Sequence, residues 1–314
     1  MAKKVFLAGH KGMVGNAILN ELNKIEDFSV ITAEKRKLDL RNQNEVINFF
    51  DNNEFDQVYL SAARVGGILA NSTFPAEFIY DNLMIQTNII QACYENKISK
   101  LLFLGSSCIY PRDCNQPMKE EYLLNGFLEK TNEPYAIAKI AGIKTCEAYN
   151  KQYGTNFFSI MPTNLYGPGD NFNLKDSHVV PGLIKKFHLA KEDKLDEVVV
   201  WGTGNPKREL MHVEDLAKAC IFLMNHPNQS DLSTLINVGS GIETTIYDLA
   251  YLIKEIIEYD GELKFDVSMP DGTPRKLLDS SKILSLGWKA RINLKDGIET
   301  TYNWFLNNQD FLRN

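Results

Sequence analysis

Short apolar runs alternate along the chain with longer stretches whose apolar positions recur at helical spacing. Val5–Ala8 reads as a buried strand, and Met13–Asn23 as a helix carrying Val14, Ala17, Ile18 and Leu22 on one face. The alternation continues with strand Phe28–Thr32, helix Gln43–Phe50, strand Gln57–Ala62, long helix Ala76–Glu95 and strand Leu101–Gly105. Helix Glu133–Gln152 follows, with Pro134 in its first turn and Thr131 or Asn132 as its expected cap, and then strand Phe157–Met161. Repeated strand–helix units predict a parallel sheet covered on both faces, with ligands bound beyond the carboxyl ends of the strands. The pattern turns irregular after Tyr166-Gly167-Pro168-Gly169. Asn171–Ser177 is polar and loop-like, helix Val180–Ala190 and strand Val198–Trp201 come next, and two pieces, Asp215–Asn225 and Ile236–Gly239, read as returns to the first sheet. The expected class is therefore α/β: a Rossmann-type doubly wound parallel sheet over 1–169, with return segments near 212–240, and a smaller α/β C-terminal substrate domain over 170–314.

Composition narrows the function classes. The 314 residues are 44% hydrophobic and 24% charged, with a formal net charge of −6. That balance argues against a nucleic-acid surface while leaving room for a local basic pocket for a small anion. Five scattered cysteines without a C-x-x-C pair form neither a disulfide framework nor a zinc site, so no metal is expected and the compartment reads as a reducing, cytoplasmic one. The first apolar run is too short for a signal peptide, and no stretch approaches the roughly 20 apolar residues of a membrane span.

Candidate chemistry begins at Gly9-His10-Lys11-Gly12-Met13-Val14-Gly15, between the first strand and the first helix. Glycines there permit a tight turn, close approach of backbone to a pyrophosphate, and close helix–strand packing. Phosphate charge then meets a helix N-terminus. The spacing is G-x-x-G-x-x-G, not the G-x-G-x-x-G of the dehydrogenase fingerprint. Lys11, Lys35 and Arg36 are the candidates to surround a 2′-phosphate, which favours NADP(H) over NAD, and Glu34 in their midst runs against that choice. Asp39 is a candidate partner of the adenine amino group. Further on, Tyr135 and Lys139 stand four residues apart on a helix, about 6 Å along its axis. The ammonium is expected to lower the phenol's pKa from about 10 and prepare it for proton exchange with a carbonyl oxygen. The segment Leu104-Gly105-Ser106-Ser107 leaves its strand at the carboxyl end and offers hydroxyl donors to the same oxygen. Read by themselves, Cys108 is better explained as a small packed thiol and His178 as a loop histidine. His10, His188, His212 and His226 have no metal-ligand spacing; His10 is expected to touch the cofactor.

The strings AGHKGMVG (8–15), ARVGGI (63–68), LLFLGSSCIYP (101–111), TNEPYAIAKIAGIK (131–144), MPTNLYGP (161–168), VVVWGTG (198–204), RELMHVEDLA (208–217) and PDGTPRKLLD (270–279) carry a resemblance over nearly the whole chain. The chain resembles the extended short-chain dehydrogenase/reductases, and within them the NADPH-dependent enzymes that epimerise and reduce GDP-4-keto-6-deoxy-D-mannose. The resemblance implies a reductase triad of Ser106, Tyr135 and Lys139, with Ser107 assisting. It places Pro162, Thr163, Asn164 and Leu165 along the nicotinamide half of the cofactor, and makes Cys108 and His178 the acid and base that invert C3 and C5. The chemistry agrees: a C4 ketone acidifies both neighbouring carbons, and a thiol and an imidazole both titrate near neutrality. Lys186, Trp201, Arg208 and Asp271 would hold the GDP-sugar, with Arg275 a further phosphate contact; Trp201 is also explained as packing at a strand end. Arginine is usual in such enzymes at the place of Lys186, and lysine keeps the charge without the bidentate fork. A homodimer through the helices at 76–95 and 133–152 is a further implication. The alternatives are another nucleotide-sugar epimerase or dehydratase on the same scaffold, or a non-catalytic NADP-sensing protein.

Overall fold

The structure, a computed structural model, describes residues 2–174, 176–227 and 234–309, so residues 228–233 of the expected return segments lie outside it. In chain order the elements are β1 (Lys3–Ala8), α1 (Met13–Leu22), β2 (Phe28–Ile31), α2 (Gln43–Asp51), β3 (Gln57–Leu60), α3 (Ile68–Thr73), α4 (Pro75–Glu95), β4 (Lys100–Leu104), α5 (Glu133–Tyr153), β5 (Phe157–Pro162) and β6 (Asn164–Tyr166). Then come α6 (Val179–Glu192), β7 (Glu197–Trp201), β8 (Lys207–His212), α7 (Val213–Met224), β9 (Leu235–Val238), β10 (Glu243–Thr245), α8 (Ile246–Ile257), β11 (Glu262–Asp266), β12 (Arg275–Lys276), α9 (Ser281–Ser285) and α10 (Leu294–Asn307).

Six strands form one parallel sheet in the order β2-β1-β3-β4-β5-β9. Its inner strands are buried on both faces, the edge strand β2 only partly, and side chains alternate between two cores. Phe6 and Ala8 join Val46, Ile89, Cys93, Ile143 and Cys146 under α2, α4 and α5. Val5 and Leu7 join Ala17, Ile18, Leu216 and Cys220 under α1 and α7, and Ile283 of α9 packs on this side too. This is the expected doubly wound α/β architecture. The smaller α/β part has its own core, built by Tyr166, Phe172, Ile184, Phe187, Leu249, Ile253, Ile298 and Phe305 around α6, α8 and α10. In it, β8 pairs with β6, β10 and β12, while β7 pairs with β11.

Buried polar groups tie the two parts together. Glu209 of β8 is fully buried and accepts from the backbone of Gly241 at 2.7 Å and Leu278 at 3.0 Å. Asn237 of β9, also fully buried, accepts from the Tyr110 hydroxyl at 2.6 Å and donates to the carbonyls of Met118 at 2.9 Å and Asp279 at 3.2 Å. Each is a satisfied group, so each fixes geometry without leaving an orphan in the interior. One local expectation needs correcting: Asn132 stands at the N-cap of α5, but its side chain makes no capping bond.

Candidate active site

The glycine turn brings β1 and α1 together more tightly than any side chain permits. A Cβ on Gly15 would lie 2.1 Å from the Gly9 carbonyl oxygen, and Gly9 itself has φ +94°. Gly12 differs: a Cβ there meets nothing nearer than 3.5 Å, so its bare backbone faces open space. That space is a cavity of about 340 Å³ whose walls include the Gly9–Gly12 turn, Glu34, Lys35, Asp39 and Ala62. The buried Nδ1 of His10, which also lines it, has no partner within the protein. A bare backbone turn, an unanswered ring nitrogen and a basic far end fit the adenosine-diphosphate half of a dinucleotide. Asp39 is not free to read adenine alone: Arg41 donates to its carboxylate at 2.6–3.2 Å and holds it down to about 2. Arg41, Arg64 and Asp81 also line this cavity and were not anticipated; Asp81 accepts from both guanidiniums, at 3.0 and 3.2 Å. Only tertiary contact of α4 with the segments after β2 and after β3 assembles them.

Beyond the end of β4, Ser106 opens a one-turn 3-10 segment over Ser107–Ile109, which sets Cys108 two residues on. Tyr135 is in the first turn of α5, its ring edge-on to Phe78 at 6.2 Å. Lys139, one turn later, is 3% exposed. Its Nζ donates to the Leu104 carbonyl at 2.7 Å, 4.7 Å from the Phe103 ring centroid and 5.9 Å from that of Tyr135. Gly142 makes this approach feasible: a Cβ there would strike the Phe103 ring at 2.5 Å, so α5 settles close on β4.

The electrostatics correct one expectation. Burial pushes the Tyr135 phenol up, the neighbouring Cys108 thiol adds to this, and a hydrogen bond to Ser106 offsets part of it. Desolvation of the phenol outweighs any lowering by the cation, and Lys139 is itself buried, which lowers its own pKa to about 8. Tyr135 is thus held as a phenol, a proton donor. Cys108 is likewise raised by burial, against hydrogen bonding to Ser106 and the positive charges of Lys276 and Lys139. His178, at the N-cap of α6, is lowered by burial and by Lys276, with Asp176 opposing.

Lys276 is a further residue that sequence reasoning missed. It lies in the two-residue β12, opposite Arg208 of β8, and lines one small cavity with Ser107, Cys108 and Asn132. The buried Oδ1 of Asn132 has no partner within the protein. Lys276 stands next to Arg275 in PDGTPRKLLD, where spacing alone does not distinguish the two cations. Arg275 is turned to Glu243 at 2.6–2.7 Å instead.

The profile of the NAD dependent epimerase/dehydratase family matches residues 5–239. The chain belongs to this family. GDP-L-fucose synthase of Escherichia coli (strain K12) is 52% identical over 317 residues, spanning 99% of each chain. Among solved structures, a GDP-mannoheptose C4 reductase from Campylobacter jejuni with NADP bound is 41% identical, covers 97% of this chain and 98% of its own, and superposes with a TM-score of 0.89. A GDP-L-fucose synthetase from Naegleria fowleri bound to NADP is 28% identical, covers 99% and 96%, and also has a TM-score of 0.89.

The groups expected to meet the sugar nucleotide lie at the end of β7 and on α6 and β8, and those expected at the nicotinamide end follow β5. Trp201, at the end of β7, is 66% exposed. Asp271 accepts from the backbone and hydroxyl of Thr203 at 2.9 and 2.7 Å, clasping the turn after Trp201. Arg208 donates to the Thr273 carbonyl at 2.6 Å. Lys186 on α6 donates to the Val199 carbonyl, so its ammonium is engaged with β7. Thr163 and Asn164 both donate to the Glu209 carbonyl, at 3.1 and 3.0 Å, beside Pro162 at the end of β5 and Leu165 against the α1/α7 core. Among the described residues, no helix is long and apolar enough to cross a membrane.

Proposed function

We propose that this protein converts GDP-4-keto-6-deoxy-D-mannose to GDP-L-fucose by epimerisation at C3 and C5 and NADPH-dependent reduction at C4. The observation that carries the reading is the meeting of two sets of groups. Cys108 lies within electrostatic reach of Tyr135 and Lys139, and Lys276 within reach of both Cys108 and His178. The 52% identity to GDP-L-fucose synthase of Escherichia coli along the full chain points the same way.

The glycine turn, Lys11, Lys35 and Arg36 would hold the dinucleotide, with Leu104–Ser107 and Pro162–Leu165 toward its nicotinamide end. When bound, NADPH supplies hydride to C4. The chain's own residues handle protons. Tyr135, kept as a phenol by burial, gives its proton to the C4 oxygen, which Ser106 also meets with its hydroxyl. Lys139 positions the ribose and restores charge balance beside the phenol. Before reduction, the ketone acidifies C3 and C5. His178, held neutral, takes or returns a proton on one face and Cys108 acts on the other, with Lys276 close enough to stabilise the thiolate and the enolate. Trp201, Arg208, Asp271 and Lys186 would bind the GDP portion. We also assign a homodimer through the outer faces of α4 and α5, where Tyr80, Ile137 and Tyr153 are exposed, and a cytoplasmic setting, supported by five free thiols.

The test is incubation with GDP-4-keto-6-deoxymannose and NADPH, with cofactor oxidation followed optically and the product identified by NMR. Stoichiometric oxidation yielding GDP-L-fucose is expected. Sugar turnover without net oxidation would instead indicate a hydride-recycling epimerase.

A further inference from the structure

At the basic end of the dinucleotide cleft a carboxylate occupies the place where a phosphate is expected. Glu34 stands between two cations from different elements: Lys11 Nζ is 3.0 Å from its Oε1 and Arg36 Nε is 2.8 Å from its Oε2. The carboxylate is the least exposed of the three, at 33% of its side chain against 66% for Lys11 and 76% for Arg36. Its place is set by the backbone. The Glu34 carbonyl accepts from Lys37 at 2.8 Å and Leu38 at 3.0 Å, and the buried Leu38 anchors that turn in the core. The cations hold Glu34 ionised, Lys11 most strongly.

Two cations gathered beyond the second strand suit a 2′-phosphate, whereas a carboxylate in that position suits the hydroxyls of an unphosphorylated ribose. Here both are present and satisfy each other. We propose that Glu34 makes the cleft a two-cofactor site: it accepts the ribose hydroxyls of NAD(H), and it swings aside to release Lys11 and Arg36 to the 2′-phosphate of NADP(H). The exchange is feasible because ion pairs this exposed are weak, while a phosphate brings more charge and three acceptor oxygens. Glu34 is therefore a specificity-determining residue that narrows the preference for NADP(H). This inference rests on the cofactor reading given above.

The test uses the full chain and two probes that lack nicotinamide, adenosine 2′,5′-bisphosphate and 5′-AMP, titrated calorimetrically. Glu34→Gln keeps the side chain's shape and removes its charge. It should tighten the bisphosphate about tenfold, the scale of one charge-assisted hydrogen bond, and weaken AMP by roughly threefold. Arg36→Gln should weaken the bisphosphate and leave AMP unchanged. Equal responses of both probes to Glu34→Gln, or none, would overturn the role of Glu34 while leaving the cofactor reading standing. Absence of binding of either probe to the unmodified chain would remove the cofactor reading and Glu34's role with it.

Discussion

Replacing Lys139 by methionine should make the protein more stable and inactive. The ammonium is 3% exposed and sits among β4 and α5 with one carbonyl partner, Leu104. Burial lowers its pKa from 10.5 to about 8. At about 1.4 kcal/mol per pH unit, that difference amounts to on the order of 3 kcal/mol by which the charged lysine disfavours the folded state. Methionine fills similar volume without charge. It forgoes the hydrogen bond and the contact with Phe103, together about 1 kcal/mol. The variant should therefore gain roughly 2 kcal/mol at pH 7. The sign with pH follows from proton binding. Between pH 8 and 10.5 the unfolded chain holds a proton on Lys139 that the folded chain has released, so the parent gains stability as pH rises through that window. By pH 10 the two proteins should be about equally stable. Urea denaturation of both, at pH 7 and pH 10, measures this directly. A variant no more stable than the parent at pH 7, or one whose margin is the same at both pH values, would refute the reasoning.

Tyr135→Phe keeps the ring against Phe78 and removes the proton donor; turnover should fall at least about 10²-fold with KM little changed, in steady-state kinetics. Cys108→Ala should leave reduction in place while blocking inversion, giving a GDP-6-deoxyhexose other than GDP-L-fucose. In heavy water with NADP⁺, the unmodified protein should label C3 and C5, and full double labelling by the alanine variant at the parent rate would return Cys108 to a packing role. Gly15→Ala forces a Cβ to within 2.1 Å of the Gly9 carbonyl and should cost at least about 1–3 kcal/mol by thermal or denaturant unfolding. Gly12→Ala has open space, so its melting point should match the parent while NADPH affinity drops.

The first sheet was legible because its strands are short, predominantly apolar runs alternating with amphipathic helices, even where a polar residue such as Ser159 or Asn237 interrupts the run. β6, β8, β10 and β12 were not: strands of two to six residues with polar positions, such as Lys207–Arg208 and Glu243–Thr245, take their conformation from pairing partners distant in sequence. α3 was missed for a similar reason, being six residues long with no capping side chain. At the site, motifs carry spacing but not burial. The Tyr135–Lys139 interval correctly placed the two on one face, yet the direction of the phenol's shift comes from its burial, which spacing does not carry. Lys276 could not be singled out beforehand, since its meaning comes from lying opposite Arg208 and beside Cys108.

The division of the chain between its sheet and its smaller lobe has a practical corollary. Ser106, Tyr135 and Lys139 all hang from β4 and α5, so the proposed carbonyl-reducing triad belongs to the parallel sheet alone. His178 and Lys276 ride on α6 and β12 of the smaller lobe, with Trp201 and Arg208 beside them. The proposed inversion pair is therefore split, with His178 carried by the lobe and Cys108 by the turn after β4, while the proposed reduction triad stays with the sheet. Grafting a relative's 171–212 and 240–279 segments onto this sheet should exchange the sugar admitted and preserve the reduction, with inversion retained only where the graft supplies a partner for Cys108.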